Sequence, residues 1–135
     1  MQETFHAELD SLTGDLARIV RLAGQMMINA STALHQGDLQ LAEMVISGAD
    51  EMKDLCDDTD RRCLNLLVLR ATVATDLRVV VAAIHAGRDL KRMCNLTQHI
   101  AMIARLKHPA VPIPAGVRLV SARMGVLAAK LAQDA

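Results

Sequence analysis

Three acidic residues, Asp50, Asp54 and Asp58, follow one another at four-residue spacing, with Glu51 and Asp57 beside them. On a helix, residues four apart share a face, so two carboxylates of the set could hold one hard cation. A second polar group lies in "HAGRDLKRMCNLTQHIA", residues 85–101, where Arg88, Asp89, Lys91, Arg92 and Asn95 crowd one side of an otherwise helical pattern. Cations at that spacing could pair with carboxylates of a neighbouring helix or recognise a partner. A solvated surface face, with exposed pairs worth roughly 0–1 kcal/mol each, is the plain alternative. The "ETFH" string, Glu3 to His6, has the Glu-x-x-His spacing of di-iron bundles. Such sites need a second copy of the motif and more glutamates, and this copy is single and terminal. No nucleophile–base pair, Gly-rich phosphate loop or pair of carboxylates in an apolar setting can be found, so catalysis is not expected.

The chemistry can be placed only once the elements that carry it are known. The chain has 135 residues, enough for one domain with its own core. Hydrophobic residues make up 52%, and Phe5 is the sole aromatic side chain. A core of Leu, Val, Ile, Met and Ala favours helix over sheet. The missing aromatics remove base stacking on single-stranded nucleic acid, and a net charge of zero argues against a phosphate-backbone footprint. That zero hides an asymmetry. Residues 1–60 hold 3 basic and 12 acidic side chains, residues 61–135 hold 12 basic and 3 acidic, and the two halves should face each other. Cys56, Cys63 and Cys94 form no Cys-x-x-Cys, and no signal peptide is evident, which fits a reducing cytoplasm. No apolar run reaches the ~20 residues of a membrane span.

Apolar residues recur at alternating steps of three and four along Phe5–Ala33, along Ala42–Leu66 and along Leu77–Ala104. These stripes predict helices over about 3–36 and 39–70 and a third from the "ATVAT" break to about 107, joined at Gly37–Asp38 and at that break, with Asp38 and Thr72 as N-caps. The fold class is all-α: an up-down-up antiparallel three-helix bundle plus a partial fourth helix. Residues 1–108 form the bundle, 109–114 a proline-containing linker, and 115–135 the start of the fourth helix. Gly14, Gly24, Gly48 and Gly87 lie inside helices, where close helix contact is a fair reason for some of them.

Two stretches carry a family resemblance. One is "LHQGDLQLAEMVISGADEM"; the other is "LLVLRATVATDLRVVVAAIHAGRDLKRM". Val73, Ala74, Asp76, Leu77, Arg78, Asp89, Leu90 and Arg92 fit a pattern that resembles the PhoU family, with Thr72 where the family usually has proline. The resemblance covers one three-helix repeat of a two-repeat family and the start of the next. It implies a cytoplasmic regulator of phosphate uptake and of the phosphate-starvation response. The implied partners are the phosphate transporter's ATPase and a sensor histidine kinase, without nucleic acid and without membrane insertion. Family members can bind metal through an acidic pair four apart. Lys91 and Asn95 occupy those two positions here, so that motif is degraded and no cofactor is expected. A metal-binding helical bundle using Asp50, Asp54 and Asp58 is the alternative function.

Two further expectations follow. If helices two and three turn about residues 70–73, residues whose numbers sum to about 143 lie level. Arg88, Lys91 and Arg92 would then meet Glu51, Asp54 and Asp58 and supply the charge a metal supplies elsewhere. Arg18 and Arg21 of the first helix would likewise lie level with Asp57 and Asp54. The second expectation concerns the fourth segment, whose stripe is Val117, Val120, Met124, Leu127 and Leu131. It could fold back onto the bundle or pair with a second copy. The short, stiff proline loop favours a two-fold homodimer.

Overall fold

The computed structural model describes residues 2–70 and 74–135. Four helices follow in order: α1 (Gln2–Gln36), α2 (Leu39–Arg70), α3 (Ala74–Lys107) and, after a single 3-10 turn at Ala115–Val117, α4 (Arg118–Asp134). The first three run up, down and up. No strand occurs among the described residues, and the all-α reading holds.

The α1–α2 turn is built as its residues dictate. Gly37 takes φ 66°, the left-handed value that closes a helix C-terminus at no steric cost to glycine. The Asp38 amide then donates back to the Ala33 carbonyl at 3.2 Å. Asp38 caps α2, its Oδ1 accepting the Leu41 amide at 3.0 Å. Thr72, the expected cap of α3, lies outside the described residues.

The three stripes read from the sequence become the core. Among the stripe residues of α2, from Ala42 to Leu66, all are buried. On α3 only Leu77 is exposed, and on α1 only Leu16 and Met26 are half-buried. The core changes character along the bundle. Phe5, Leu9, Leu12, Val80 and Ile84 fill one end, Ile19, Met52, Cys56, Leu90 and Cys94 the middle, and chiefly alanines (Ala30, Ala33, Ala42, Ala101, Ala104) the other end.

α4 corrects an expectation. It folds back antiparallel onto α1 of its own bundle and needs no second copy to find a packing partner. The proline segment permits this by lying on the α1–α2 turn, where His108 Nδ1 donates to the Gly37 carbonyl at 3.1 Å. A second tie fixes the register. His35 Nδ1–H donates to the Ser31 carbonyl at 2.7 Å, and its Nε2 shares a hydrogen bond with the Ser121 hydroxyl at 3.0 Å. The packed face is also not the expected one. Gly125, Ala129 and Ala132 are buried, while Met124, Leu127 and Leu131 remain 65%, 59% and 71% exposed. Small residues won because they let two backbones approach: a Cβ on Gly125 would overlap Ser31 Oγ. Of the four helix-interior glycines flagged above, only Gly24 has this reason, since a Cβ there would lie 2.8 Å from Gln133 Cγ. Gly14, Gly48 and Gly87 have nothing within 4 Å of that position.

Candidate functional site

The acidic face of α2 meets the basic face of α3, but in a different register from the one expected. Lys91 Nζ lies 2.5 Å from Asp57 Oδ1. Gln98 Nε2 donates to Asp50 Oδ1 at 3.0 Å, and Arg105 Nη1 lies 3.7 Å from Glu43 Oε2. Cys56 and Cys94 pack in the same core cluster between them. Each of these pairs sums to 148 or 150, not 143. Side chains that lean toward the N-terminus of each helix give such raised sums in an antiparallel pair, and the bond to backbone, Gln98 Nε2 to the Ile46 carbonyl, sums to 144.

This offset of the side chains decides which predicted residues come together. Lys91 reaches an α2 carboxylate, though it is Asp57 and not one of the three anticipated. Arg88 and Arg92 are exposed and make no ion pair among the described residues, which corrects the expectation that they meet Glu51, Asp54 or Asp58. Glu51, Asp54 and Asp89 are likewise exposed and unpaired among the described residues. Asp58 pairs within its own helix, with Arg61 Nη2 at 3.7 Å. Asn95 is half-buried beside Cys94. Arg18 and Arg21 are exposed and make no ion pair among the described residues.

The Asp50–Asp54–Asp58 ladder does not converge. Asp50 is drawn into the seam by Lys53, 2.8 Å away, and by Gln98. The Lys53 bond first and the Gln98 bond second hold its carboxyl below the usual carboxylate range. Asp54 and Asp58 lie further along α2 without following it. Among the described residues no three His, Cys, Asp or Glu side chains are grouped to hold a metal ion. His6, of the Glu-x-x-His string, lies 3.6 Å from Asp76 and edge-on to Phe5.

Two arrangements were not anticipated. Gln98 links three groups of α2: its Nε2 donates to the Ile46 carbonyl and to Asp50, while its Oε1 accepts from Lys53 Nζ at 2.8 Å. Arg62 of α2 forks between Glu8 and Asp15 of α1, with Nε and Nη1 each 2.7 Å from a carboxylate oxygen and Nη2 3.0 Å from Ser11 Oγ. Those bonds raise the Arg62 pKa above its ordinary value. Numbers summing to about 75 across the α1–α2 turn could have found this fork. The expected pairs set arginines of α1 against acids of α2, whereas the fork runs the other way. One carboxylate is less well served. Asp60 Oδ1 is buried with no hydrogen-bond partner among the described residues, and the Lys91 charge acts on it at longer range.

The family's sequence profile, described as the PhoU domain, matches residues 16–104 of this chain. The chain belongs to the PhoU family. Its relatives agree along the full length. A protein of Mycobacterium tuberculosis named phosphate-specific transport system accessory protein PhoU homolog 2 is 39% identical over all 135 residues, which span 63% of that relative. PhoU homolog 1 of Mycobacterium leprae is 36% identical over the whole chain and 61% of its own length. The Caulobacter vibrioides homolog is 29% identical over 93% of the chain and 54% of the relative. The chain thus spans less than two thirds of these PhoU relatives. No solved structure matches it at a significant level. None of the described PhoU helices is long and apolar enough to cross a membrane.

Proposed function

We propose that this chain acts as a PhoU-type regulator of phosphate uptake and of phosphate-starvation signalling. It works by protein–protein contact with the transporter's ATPase and with a sensor histidine kinase. The observation that carries the reading is 39% identity along the entire chain to a protein named as a phosphate-specific transport system accessory protein. At one of the two PhoU acidic-pair positions the side chain serves helix-to-helix pairing. Lys91 spends its charge on Asp57, and Asn95 offers a neutral amide, so the proposed activity uses no metal there and no catalytic step. A cytoplasmic location follows from the same reading. α4 docks on its own α1 through Gly125, Ala129 and Ala132, and the stripe on which the homodimer expectation rests stays exposed. Pull-downs from cells grown at high and at low phosphate test the proposal. Recovery of the ATPase or the kinase, with a yield that changes with phosphate, is the expected outcome. Recovery of neither under both conditions overturns it.

A further inference from the structure

The outer face that α2 and α3 form together lies away from α4, which packs on α1 and makes no close backbone approach to either helix among the described residues. Along α2 this face carries Asp50, Asp54, Asp57, Arg61, Leu64 and Val68, at alternating steps of four and three. Asp50 and Asp57 reach Gln98 and Lys91, which places the stripe on the α3 side of α2. The matching stripe of α3 is Val81, His85, Arg88, Arg92 and Asn95, again at steps of four and three. Arg88 and Asn95 flank Lys91 at three and four residues, so this stripe lies on the α2 side of α3. Asp54, Arg88 and Arg92 are exposed and make no ion pair among the described residues, so their charge is left unmatched within the chain. Past the charges, toward the C-terminus of α2 and the N-terminus of α3, the face turns apolar, with Leu64, Val68, Leu77 and Val81 all exposed.

A face with acids on one helix and arginines on the next is complementary to itself. A two-fold axis lying in the face and parallel to the helices sets α2 of each copy over α3 of the other. That rotation leaves every residue at its own height along the bundle, so residues level within one chain become level between two. Level residues have numbers summing to between 144, at the Gln98–Ile46 bond, and 148, at Lys91–Asp57. Asp54 with Arg92, Asp57 with Arg88, and Leu64 with Val81 all fall within that window, so opposite charges meet in the middle of the face and apolar groups meet at its end. Arg61 is the one cation of the α2 stripe. Asp58 holds it from its own helix, and His85 is the residue it meets. A two-fold axis running across the helices fails by contrast. It stacks α2 on α2 and α3 on α3, acids against acids and arginines against arginines. Two helices side by side over about 45 Å, in a strip about 20 Å wide, offer roughly 900 Å² a side, which matches the ~800 Å² per partner of a standard interface.

We infer that the α2–α3 face docks a second copy of this chain about a two-fold axis parallel to the helices, α2 of each copy lying on α3 of the other. The interface is ionic at its middle, through Asp54 and Asp57 on Arg92 and Arg88, and apolar toward Leu64 and Val81. It is a different surface from the α4 stripe, and it stands or falls apart from the regulatory reading above.

Sedimentation velocity of the full chain over a concentration series tests this. It should show a monomer–dimer equilibrium that weakens as salt is added. Asp54→Arg and Arg92→Asp should each weaken association at least ~10-fold, by setting like charges opposite one another, while circular dichroism stays native. An equimolar mixture of the two variants should regain association, because each substituted side chain then meets an opposite charge. The double variant should regain it for the same reason. A residue that matters only to the fold of its own chain cannot be rescued by mixing. Leu127→Asp, on the α4 stripe, should leave association unchanged. A chain that stays monomeric at every concentration overturns the inference. So does a dimer indifferent to Asp54→Arg and Arg92→Asp, or one that they weaken and neither mixing nor the double variant restores. A dimer dissociated by Leu127→Asp overturns it as well, because α4 is then the contact. Pull-downs of the ATPase and the kinase report on the regulatory reading alone, so either idea can fail without the other.

Discussion

Arg62 of α2 reaches across the bundle to Asp15 of α1, its Nη1 2.7 Å from Oδ2. The same guanidinium holds Glu8, so one planar cation ties two turns of α1 to α2. A fork of charge-assisted bonds in a partly shielded seam is worth more than an exposed pair, and the solvent around it limits the gain. Arg62→Met is expected to lower unfolding free energy by about 1–2 kcal/mol. Arg18→Met and Arg21→Met, at exposed cations without ion pairs, should change it by less than ~0.5 kcal/mol. Urea denaturation of the three variants checks the contrast. Equal effects at all three positions would show that the fork adds nothing beyond general charge balance.

The stripes of α1, α2 and α3 were legible because large apolar residues and burial coincide there: Leu12, Ile19, Met52, Cys56, Val80 and Leu90 are both the periodic residues and the core. α4 was legible as a helix and not in its orientation. Its packing face is Gly125, Ala129 and Ala132, which a hydrophobicity pattern ranks below the Val120–Leu131 stripe. Backbone approach decided the matter, and that depends on what stands opposite. The cross-helix pairs failed for a related reason. Matching residue numbers across the turn ignores that helical side chains lean toward their own N-termini, which moves the partner of Lys91 from Glu51 to Asp57.

Lys91 occupies one of the two PhoU acidic-pair positions, and its ammonium sits on Asp57. Protein purified without chelator is therefore expected to carry no stoichiometric iron, zinc or manganese beside residues 91 and 95, by elemental analysis. The double variant Lys91→Glu, Asn95→Asp removes the cation and sets carboxylates on one face near Asp57. It should be less stable than wild type without metal and gain weak divalent-ion affinity, on the order of 10⁻⁴ M, in isothermal titration. A double variant with no metal response would show that more than these two positions separates this chain from a metal site.

Asp50 supplies a pH signature. Its carboxyl titrates below the ordinary range because Lys53, then Gln98, favours the ionised form. A depressed folded-state value means that its contribution to stability is present above the ordinary carboxylate value and is lost as pH falls through the folded one. In a carboxyl NMR titration the Asp50 midpoint should rise in Lys53→Met and rise less in Gln98→Ala, following the order of the two causes. An Asp50 midpoint unchanged by Lys53→Met would mean that the Lys53 bond does not persist in solution.

Two glycines separate packing from propensity. Gly14 lies inside α1 with nothing within 4 Å of where a Cβ would stand, and at an exposed helical position alanine is the better residue. Gly14→Ala should stabilise the protein by about 0.5–1 kcal/mol. Gly125 is the opposite case. A Cβ there overlaps Ser31 Oγ, and Ser31 stands on α1 in the seam that α4 closes. Gly125→Ala should cost about 1–3 kcal/mol through overpacking, with the loss falling on the α1–α4 contact before the bundle core. Hydrogen exchange locates it: amides of α4 lose protection while those of α2 and α3 keep theirs. Adding Ser31→Gly removes the clashing hydroxymethyl group and should restore much of the α4 protection. If Gly125→Ala leaves α4 protection unchanged, then α4 does not lie on α1 in solution.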